Sequence, residues 1–433
     1  MDDAIKGVPD VRASWFNPSE RERLYVLEAG RSRPGQPTLV LIHGVGAVGT
    51  KDFYPVLGAL SRQRHVLAVD LPGFGRSDPK DDDFGPERLV QAVDHVVRAC
   101  ATKTLDVLGH SSGGALSILF AAHRSDAVRR LVVVDAAGIL LPEVLLEGQL
   151  HQSLTEAREN VPVGAKLAEK LGRGLIKMLH ALTPSASALA ESGLLGKSPP
   201  VLAATSLLDY NFAQAILDVR AETLVVWGKN DEVAPPRIAH LLDDRIEPSE
   251  LTFLPDAGHV PMRDQPELFA STVEGYLAEG LGPYRAKVTD NPETPNTSTR
   301  EGVCKDQENV VFEGDFASID VLRCKRVWLN HVRAQRVSLR ESEGRIDSSS
   351  IDQGLTVEDS KLSLTGGTLK GAVALTIKDS NLDVAGANLV GDELALSVKG
   401  KDNRLMFSVT PLHSAKTARV LHQELKPEDG FEM

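Results

Sequence analysis

The 433-residue sequence predicts a parallel α/β sheet bearing a helical cap, followed by a separate all-β repeat domain. Three observations carry this expectation. Short apolar runs alternate with amphipathic helical stretches over residues 20–135, and again from 223 to 279. Between about 138 and 218 the alternation gives way to sequence that reads as helix after helix. Beyond residue 302 a 20-residue unit recurs, built of short alternating strands.

The apolar runs of the first region are 38–42 (TLVLI), 65–69 (HVLAV), 104–108 (TLDVL) and 131–134 (LVVV), each bounded by Gly, Pro or Asp. Runs this short and this continuously apolar suit strands buried on both faces. The stretch 87–101 (ERLVQAVDHVVRACA) instead repeats its apolar residues at helical spacing. Alternation of the two kinds predicts βαβ units. The rhythm resumes with 223–227 (TLVVW), 251–254 (LTFL) and a closing helix from 265 to about 279. The all-helical insertion, in which Leu, Ala and Met178 outnumber aromatics, is placed to form a cap with a modest aliphatic pocket.

The expected domains are therefore an α/β domain over 1–283 with its cap at about 138–218, a Pro-containing linker over 284–302, the repeat domain over 303–425 and a tail over 426–433. In the repeat domain, LTVEDSKLSLTGGTLKG from Leu355 matches LTIKDSNLDVAGANLVG from Leu375. An earlier copy, VSLRES, starts at Val337, and a blurred one lies at 396–398. One such unit cannot bury its own apolar face, whereas stacked units can, so a right-handed parallel β-solenoid is expected. Its long faces suit self-association, which makes a homo-oligomer through this domain one expectation.

A net charge of -12 argues against a nucleic-acid or anionic-membrane partner, since either favours a basic patch. No stretch is long and apolar enough to span a bilayer, and no signal peptide is visible at the N-terminus. With 3 cysteines and neither feature, the expected location is cytoplasmic. Cys304 and Cys324 lie one 20-residue repeat apart; stacked positions would be near enough to bridge, but two reduced thiols are the expectation in a reducing compartment.

The chemistry is carried by four separated segments. Gly109-His110-Ser111-Ser112-Gly113 lies between an expected strand and an expected helix. Gly109 and Gly113 permit a turn too tight for side chains, and the turn lifts the Ser111 hydroxyl to a helix N-terminus. A serine hydroxyl needs a base. His259 follows the strand at 251–254 and is placed to serve. Asp231 follows the strand at 223–227 and is placed to fix the tautomer of that imidazole. The chain order Ser, Asp, His and the strand-end positions agree with this assignment. Gly44 follows the strand at 38–42 and lets the Val45 N–H turn toward a substrate oxygen, with the Ser112 N–H as second oxyanion donor. His43 and His110 are read as structural residues beside these turns, and Asp135 as a turn former, although it is the rival to Asp231 as the acid.

With these motifs in hand, the first 283 residues resemble α/β-hydrolases of the lid-bearing, esterase-like type. LVLIHGVG resembles that family's oxyanion strand and loop, DLPGFGRSD its next strand and turn, LGHSSGG the nucleophile elbow, LVVWGKND the acid loop and DAGHVPMRDQPE the histidine loop. The resemblance implies acyl transfer from a small-molecule ester to water through Ser111, with no cofactor and no metal. The same framework serves carbon–carbon bond hydrolases, acyltransferases, lactonases and cofactor-free haloperoxidases, and fold does not separate these. Haloalkane dehalogenases and epoxide hydrolases are disfavoured, because they carry Asp where this chain has Ser111. A reading of another class also stays open, in which the solenoid leads as a binding or assembly module.

Overall fold

The computed structural model describes residues 3–19, 22–45, 48–78, 83–141, 199–281, 296–426 and 430–433. Contacts divide the chain into two compact units, Met1–Pro236 with Pro248–Leu281, and Arg237–Glu247 with Gly282–Met433.

The first unit is an eight-stranded sheet. Its strands are β1 (Arg12–Ser19), β2 (Glu22–Ala29), β3 (Thr38–Ile42), β4 (Val66–Val69), β5 (Leu105–His110), β6 (Val128–Val134), β7 (Glu222–Gly228) and β8 (Ser249–Leu254). They lie in the order β1-β2-β4-β3-β5-β6-β7-β8. From β4 onward every pairing is parallel, while β1–β2 and β2–β4 are antiparallel. β3, β4 and β5 are buried along their whole length, as their uninterrupted apolar runs require. The helices between them include α1 (Tyr54–Leu60), α2 (Pro86–Cys100) and α3 (Ser112–His123). The core sets Leu39, Leu41, Ala68, Leu108, Val132 and Val226 of the sheet against Phe269 and Val273 of the closing helix Pro266–Glu279. Each expected strand is present, most extended by one to three residues. The antiparallel pair β1–β2 has no counterpart in the sequence reading.

Two helices, Pro199–Leu208 and Ala213–Asp218, fall in the stretch expected to be helical. The remainder of the expected cap from 142 to 198, Met178 included, lies outside the described residues, as does the expected linker from 284 to 295.

Among its described residues, the second unit is all-β apart from the helix Arg237–Arg245. Its strands stack almost entirely in parallel, coil on coil. Val311 faces Trp328, Val337 faces Leu355, Leu355 faces Leu375 and Asn381 faces Arg404, so the coil lengthens from 17 to 18, 20 and 23 residues. The 20-residue period is thus the length of one central coil. The copy at Val337 stacks directly beneath Leu355, and Leu396 stacks on Leu375. The interior is a column of Leu, Ile, Val and Phe.

One corner of each coil is built alike. Arg323, Glu341, Asp359 and Asp379 adopt left-handed backbone, with φ of 52°, 49°, 46° and 46°. The residue after each turns inward. The N–H of Cys324, Ser342 and Ser360 donates to the hydroxyl of Ser342, Ser360 and Ser380 in the next coil, each at 3.0 Å, and the Ser380 N–H donates to Asn403 Oδ1 at 3.1 Å. Each serine hydroxyl donates in turn to the carbonyl two residues before it. This ladder satisfies backbone N–H groups that the corner withdraws from the strand pairing.

Cys304 and Cys324 form a disulfide, which corrects the expectation of reduced thiols. The spacing argument also needs correction. The coil here is 17 residues long, so Cys304 faces Val321 rather than Cys324. Cys324 reaches it from past the corner, with Cα atoms 6.4 Å apart, inside the range a disulfide spans. The C-terminal strands end the stack differently. Ala418–Leu425 pairs antiparallel with Arg404–His413, and Phe431–Glu432 pairs antiparallel with the strand Asn388–Lys399.

Candidate active site

Ser111 lies one residue past β5, at the head of α3, with φ 57° and ψ -126°. A non-glycine residue is held at such a φ only where its surroundings over-determine it. Those surroundings are close. A Cβ on Gly109 would lie 2.1 Å from the Gly113 carbonyl oxygen, and one on Gly113 would lie 2.2 Å from the Ile42 carbonyl oxygen. The second contact presses the first turn of α3 against the end of β3. A Cβ on Gly44 would stand 3.0 Å from Ser111 Cβ and 3.4 Å from its Oγ. The loop that carries Val45 therefore runs directly beside the serine. Ser112 is the first residue of α3, so its N–H belongs to the turn that has no intrahelical acceptor.

The structure brings the three sequence-predicted side chains together in one hydrogen-bonded line. His259 Nε2 is 2.9 Å from Ser111 Oγ, and His259 Nδ1 is 2.9 Å from Asp231 Oδ2. The Asp231 side chain is completely shielded from solvent, and the His259 side chain is 18% exposed. An ionised Asp231 only accepts, so Nδ1 carries the imidazole proton and Nε2 is left to accept from the serine hydroxyl. Asp231 Oδ1 accepts from the Val233 and Ala234 N–H groups at 2.7 and 3.0 Å. Burial pushes the Asp231 carboxyl up, but the bond to His259, its charge and the Ala234 N–H outweigh it and hold the group below the ordinary carboxylate range.

The two loops are locked to each other. A Cβ on Gly228, the last residue of β7, would fall 2.0 Å from the Gly258 carbonyl oxygen, and the Asn230 N–H donates to the Ala257 carbonyl at 2.9 Å. Asp264 accepts from the Gly258 N–H at 2.8 Å.

Such a line of Ser, His and Asp, at the C-terminal ends of parallel strands in this strand order, is the arrangement of one large enzyme family. The sequence model of the alpha/beta hydrolase family matches residues 39–272. The chain belongs to that family. As an alpha/beta hydrolase it is similar to 2-hydroxy-6-oxo-2,4-heptadienoate hydrolase of Pseudomonas putida, with 29% identity over 56% of this chain and 90% of that enzyme. Lipase 1 of Psychrobacter immobilis is 29% identical over 56% of this chain and 76% of the lipase. Pimeloyl-[acyl-carrier protein] methyl ester esterase of Neisseria meningitidis is 30% identical over 56% of this chain and 78% of the esterase. All three matches cover little more than half of this chain.

The histidines read as structural make specific bonds in this alpha/beta hydrolase. His110 Nε2 donates to the His259 backbone carbonyl at 2.7 Å. Its Nδ1 faces Asp52 Oδ2 at 3.7 Å, and Arg263 donates to the other Asp52 oxygen at 2.8 Å. His43 Nε2 accepts from the Leu71 N–H at 2.9 Å, so its Nδ1 carries the proton and donates to the Gly44 carbonyl at 2.6 Å. Complete burial lowers the His43 pKa and favours that neutral form. His43 thereby ties the Val45 loop to the segment after β4. Asp70 does the same from below, accepting from the Thr50 and Arg76 N–H groups at 2.6 and 2.9 Å.

Sequence reasoning assigned no role to Gly228, Asp52, Asp70 or Asp264. Their signal lies in what they touch: the Arg263 and His110 side chains for Asp52, backbone N–H groups for Asp70 and Asp264, and a close backbone approach for Gly228. Asp135 is placed otherwise than as a plain turn former. Oxygens of Asp135 and Asp231 and a ring nitrogen of His259 all lie within 4.8 Å of one another.

Proposed function

We propose that the chain is a serine hydrolase that cleaves a carboxylic ester, or a related acyl compound, through an acyl-enzyme on Ser111. The observation that carries this reading is the unbroken line from Ser111 Oγ to His259 to Asp231. His259 takes the serine proton as Oγ attacks the carbonyl carbon. The Val45 and Ser112 N–H groups receive the oxyanion, and each such donor is worth about 3 kcal/mol to the transition state. The leaving group departs with the proton held on His259. Water then attacks the acyl-enzyme by the same sequence, with His259 again as base.

A second reading has a specific observation behind it. Three similar proteins are named as hydrolases of 2-hydroxy-6-oxo-dienoic acids or 2-hydroxymuconate semialdehyde, which are carbon–carbon bond hydrolases. The same three side chains would serve that reaction.

The deciding experiment compares the wild type with Ser111→Ala on p-nitrophenyl esters from acetate to octanoate and on a 2-hydroxy-6-oxo-dienoate. Ester turnover that vanishes in the variant supports the esterase reading, and the chain-length profile sizes the acyl pocket. Turnover of the dienoate alone transfers the assignment to carbon–carbon cleavage. No turnover of either by folded wild type overturns both.

A further inference from the structure

We propose that Asp135 is a positioning residue of this site, a carboxylic acid that keeps its proton and donates it in a hydrogen bond to Asp231, so holding Asp231 toward His259. The proposal rests on the triad reading above and deepens it.

Asp135 stands one residue past β6, fully buried, with φ 44°. Only one of its oxygens is satisfied in the ordinary way, as Oδ1 accepts from the Gly228 N–H at 2.8 Å. Its Oδ2 is buried and has no donor among the described residues. An ionised carboxylate with an orphaned oxygen, beside a second carboxylate, is an unstable arrangement on two counts. The buried oxygen lacks a partner, and like charges confront each other in a poorly screened site.

Which of the two carries the charge follows from their partners. Asp231 faces three donors, namely His259 Nδ1 and the Val233 and Ala234 N–H groups. Asp135 faces one. Asp231 is therefore the carboxylate and Asp135 the acid. A proton on Asp135 turns the orphaned acceptor into a donor, and the Asp231 carboxylate within 4.8 Å is the acceptor it meets. The titratable groups around Asp135 are Asp231 and His259, with Asp264 as a lesser influence. Burial first, then the hydrogen bond and charge of Asp231, outweigh the downward pull of the Gly228 N–H and push the Asp135 carboxyl up to about 10.

The geometry also explains why an aspartate occupies a left-handed position that a glycine would fill without strain. Through Gly228 it holds the point where the acid and histidine loops cross, and through Asp231 it holds the acid itself.

The test uses the full chain and the rate at which a fluorophosphonate labels Ser111 across pH, so that no substrate need be known. Asp135→Ala is expected to slow labelling about tenfold, the worth of one hydrogen bond. Asp135→Asn, which keeps an N–H donor toward Asp231 and an acceptor for Gly228, is expected to recover most of that loss. Its acid limb should fall at the wild-type pH, because no charge has been removed. If Asp135 is ionised, Asp135→Asn deletes a negative charge beside His259 and moves the acid limb to lower pH, which overturns the proposal. Labelling by Asp135→Ala at the wild-type rate overturns it too, by reducing Asp135 to a support for Gly228. An infrared carboxylic-acid band present in wild type and missing from Asp135→Asn reports the proton directly, even if Asp135→Ala fails to fold; no such band overturns the proposal. Wild type that is not labelled at Ser111 refutes the triad reading itself and the positioning role with it, an outcome distinct from a labelled enzyme with a shifted limb.

Discussion

Replacing Asp231 by Asn tests the site at its most demanding point, because the two oxygens of Asp231 do different work. Oδ1 accepts from the Val233 and Ala234 N–H groups at 2.7 and 3.0 Å, and Oδ2 accepts from His259 Nδ1 at 2.9 Å. An asparagine has one oxygen. Two backbone donors claim it, so the amide NH2 is turned toward His259. Two N–H groups cannot face each other, and the imidazole responds by moving its proton from Nδ1 to Nε2. Nε2 then points an N–H at Ser111 Oγ, 2.9 Å away, and cannot take the serine proton. Reversal of the tautomer in this way costs about 10⁴-fold in rate, or about 5 kcal/mol. The assay is fluorophosphonate labelling of Ser111, with Ser111→Ala as the floor and a thermal melt to show that the fold survives. Retention of more than about a tenth of the wild-type rate refutes the argument. If that activity disappears in Asp135→Asn/Asp231→Asn, the acid is Asp135.

Three further outcomes follow from other parts of the molecule. Asp135 holds a proton in the folded state up to about 10 but loses it near 3.8 when unfolded, so its contribution to stability is full below 3.8 and is lost as pH rises toward 10. Chemical denaturation of wild type should therefore show a loss of up to about 1.4 kcal/mol per pH unit between those values that Asp135→Asn lacks, and equal slopes would refute it. Reducing Cys304–Cys324 opens a loop of 20 residues and should lower the stability of the β-unit by about 3 kcal/mol, read as a melting transition that falls with dithiothreitol in wild type and not in Cys304→Ala/Cys324→Ala. Ser360→Ala leaves the Ser342 N–H without its acceptor and should cost about 1–3 kcal/mol in the same transition, whereas Ser363→Ala, at a half-buried strand position, should cost less than about 0.5.

The parts legible in the sequence are those with a local signature. β3, β4, β5 and β7 show as apolar runs because both faces of each strand are covered; the apolar ends of β6 and the half-buried run of β8 show beside them, and the Ser111 elbow shows because its glycines are close in the chain. The solenoid shows at Leu355 and Leu375 because that one coil happens to keep a 20-residue length. The coils before it are shorter and those after it longer, so the same pattern blurs at Val337 and Leu396. The disulfide was misjudged for a related reason, since the bridged residues are not stacked partners and the sequence interval alone carried no geometry. β1 went unread because residues 12–18 are largely exposed and lack a continuous apolar run, whereas the buried run Leu24–Leu27 of β2 was a local signal left unused. Asp135 is the clearest case of information absent from the sequence. Its neighbours Gly228 and Asp231 are more than ninety positions away, and a lone Asp at a strand end reads as a turn.

Two of the strained residues of the site are held directly by the sheet. Ser111 and Asp135 each lie one residue beyond a strand, and each has left-handed backbone that only glycine adopts freely. The Ser111 N–H donates to the Val134 carbonyl, the Asp135 N–H to the Val226 carbonyl and the Ala137 N–H back to the Ser111 carbonyl. The parallel pairing of β5, β6 and β7 thus continues past the strand ends into the site. The positions of Ser111 and Asp135 are set by the register of three buried strands. Asp231, His259 and Val45 lie on loops and Ser112 opens α3, and His110 ties the histidine loop back to β5 through the His259 carbonyl. An arrangement of this kind keeps the reacting groups in place before any substrate arrives, which is the condition for hydrogen-bond donors to act on the transition state without reorganising. It follows that truncating Val134 or Val226, each fully buried beneath the site, should impair Ser111 labelling out of proportion to the loss of stability.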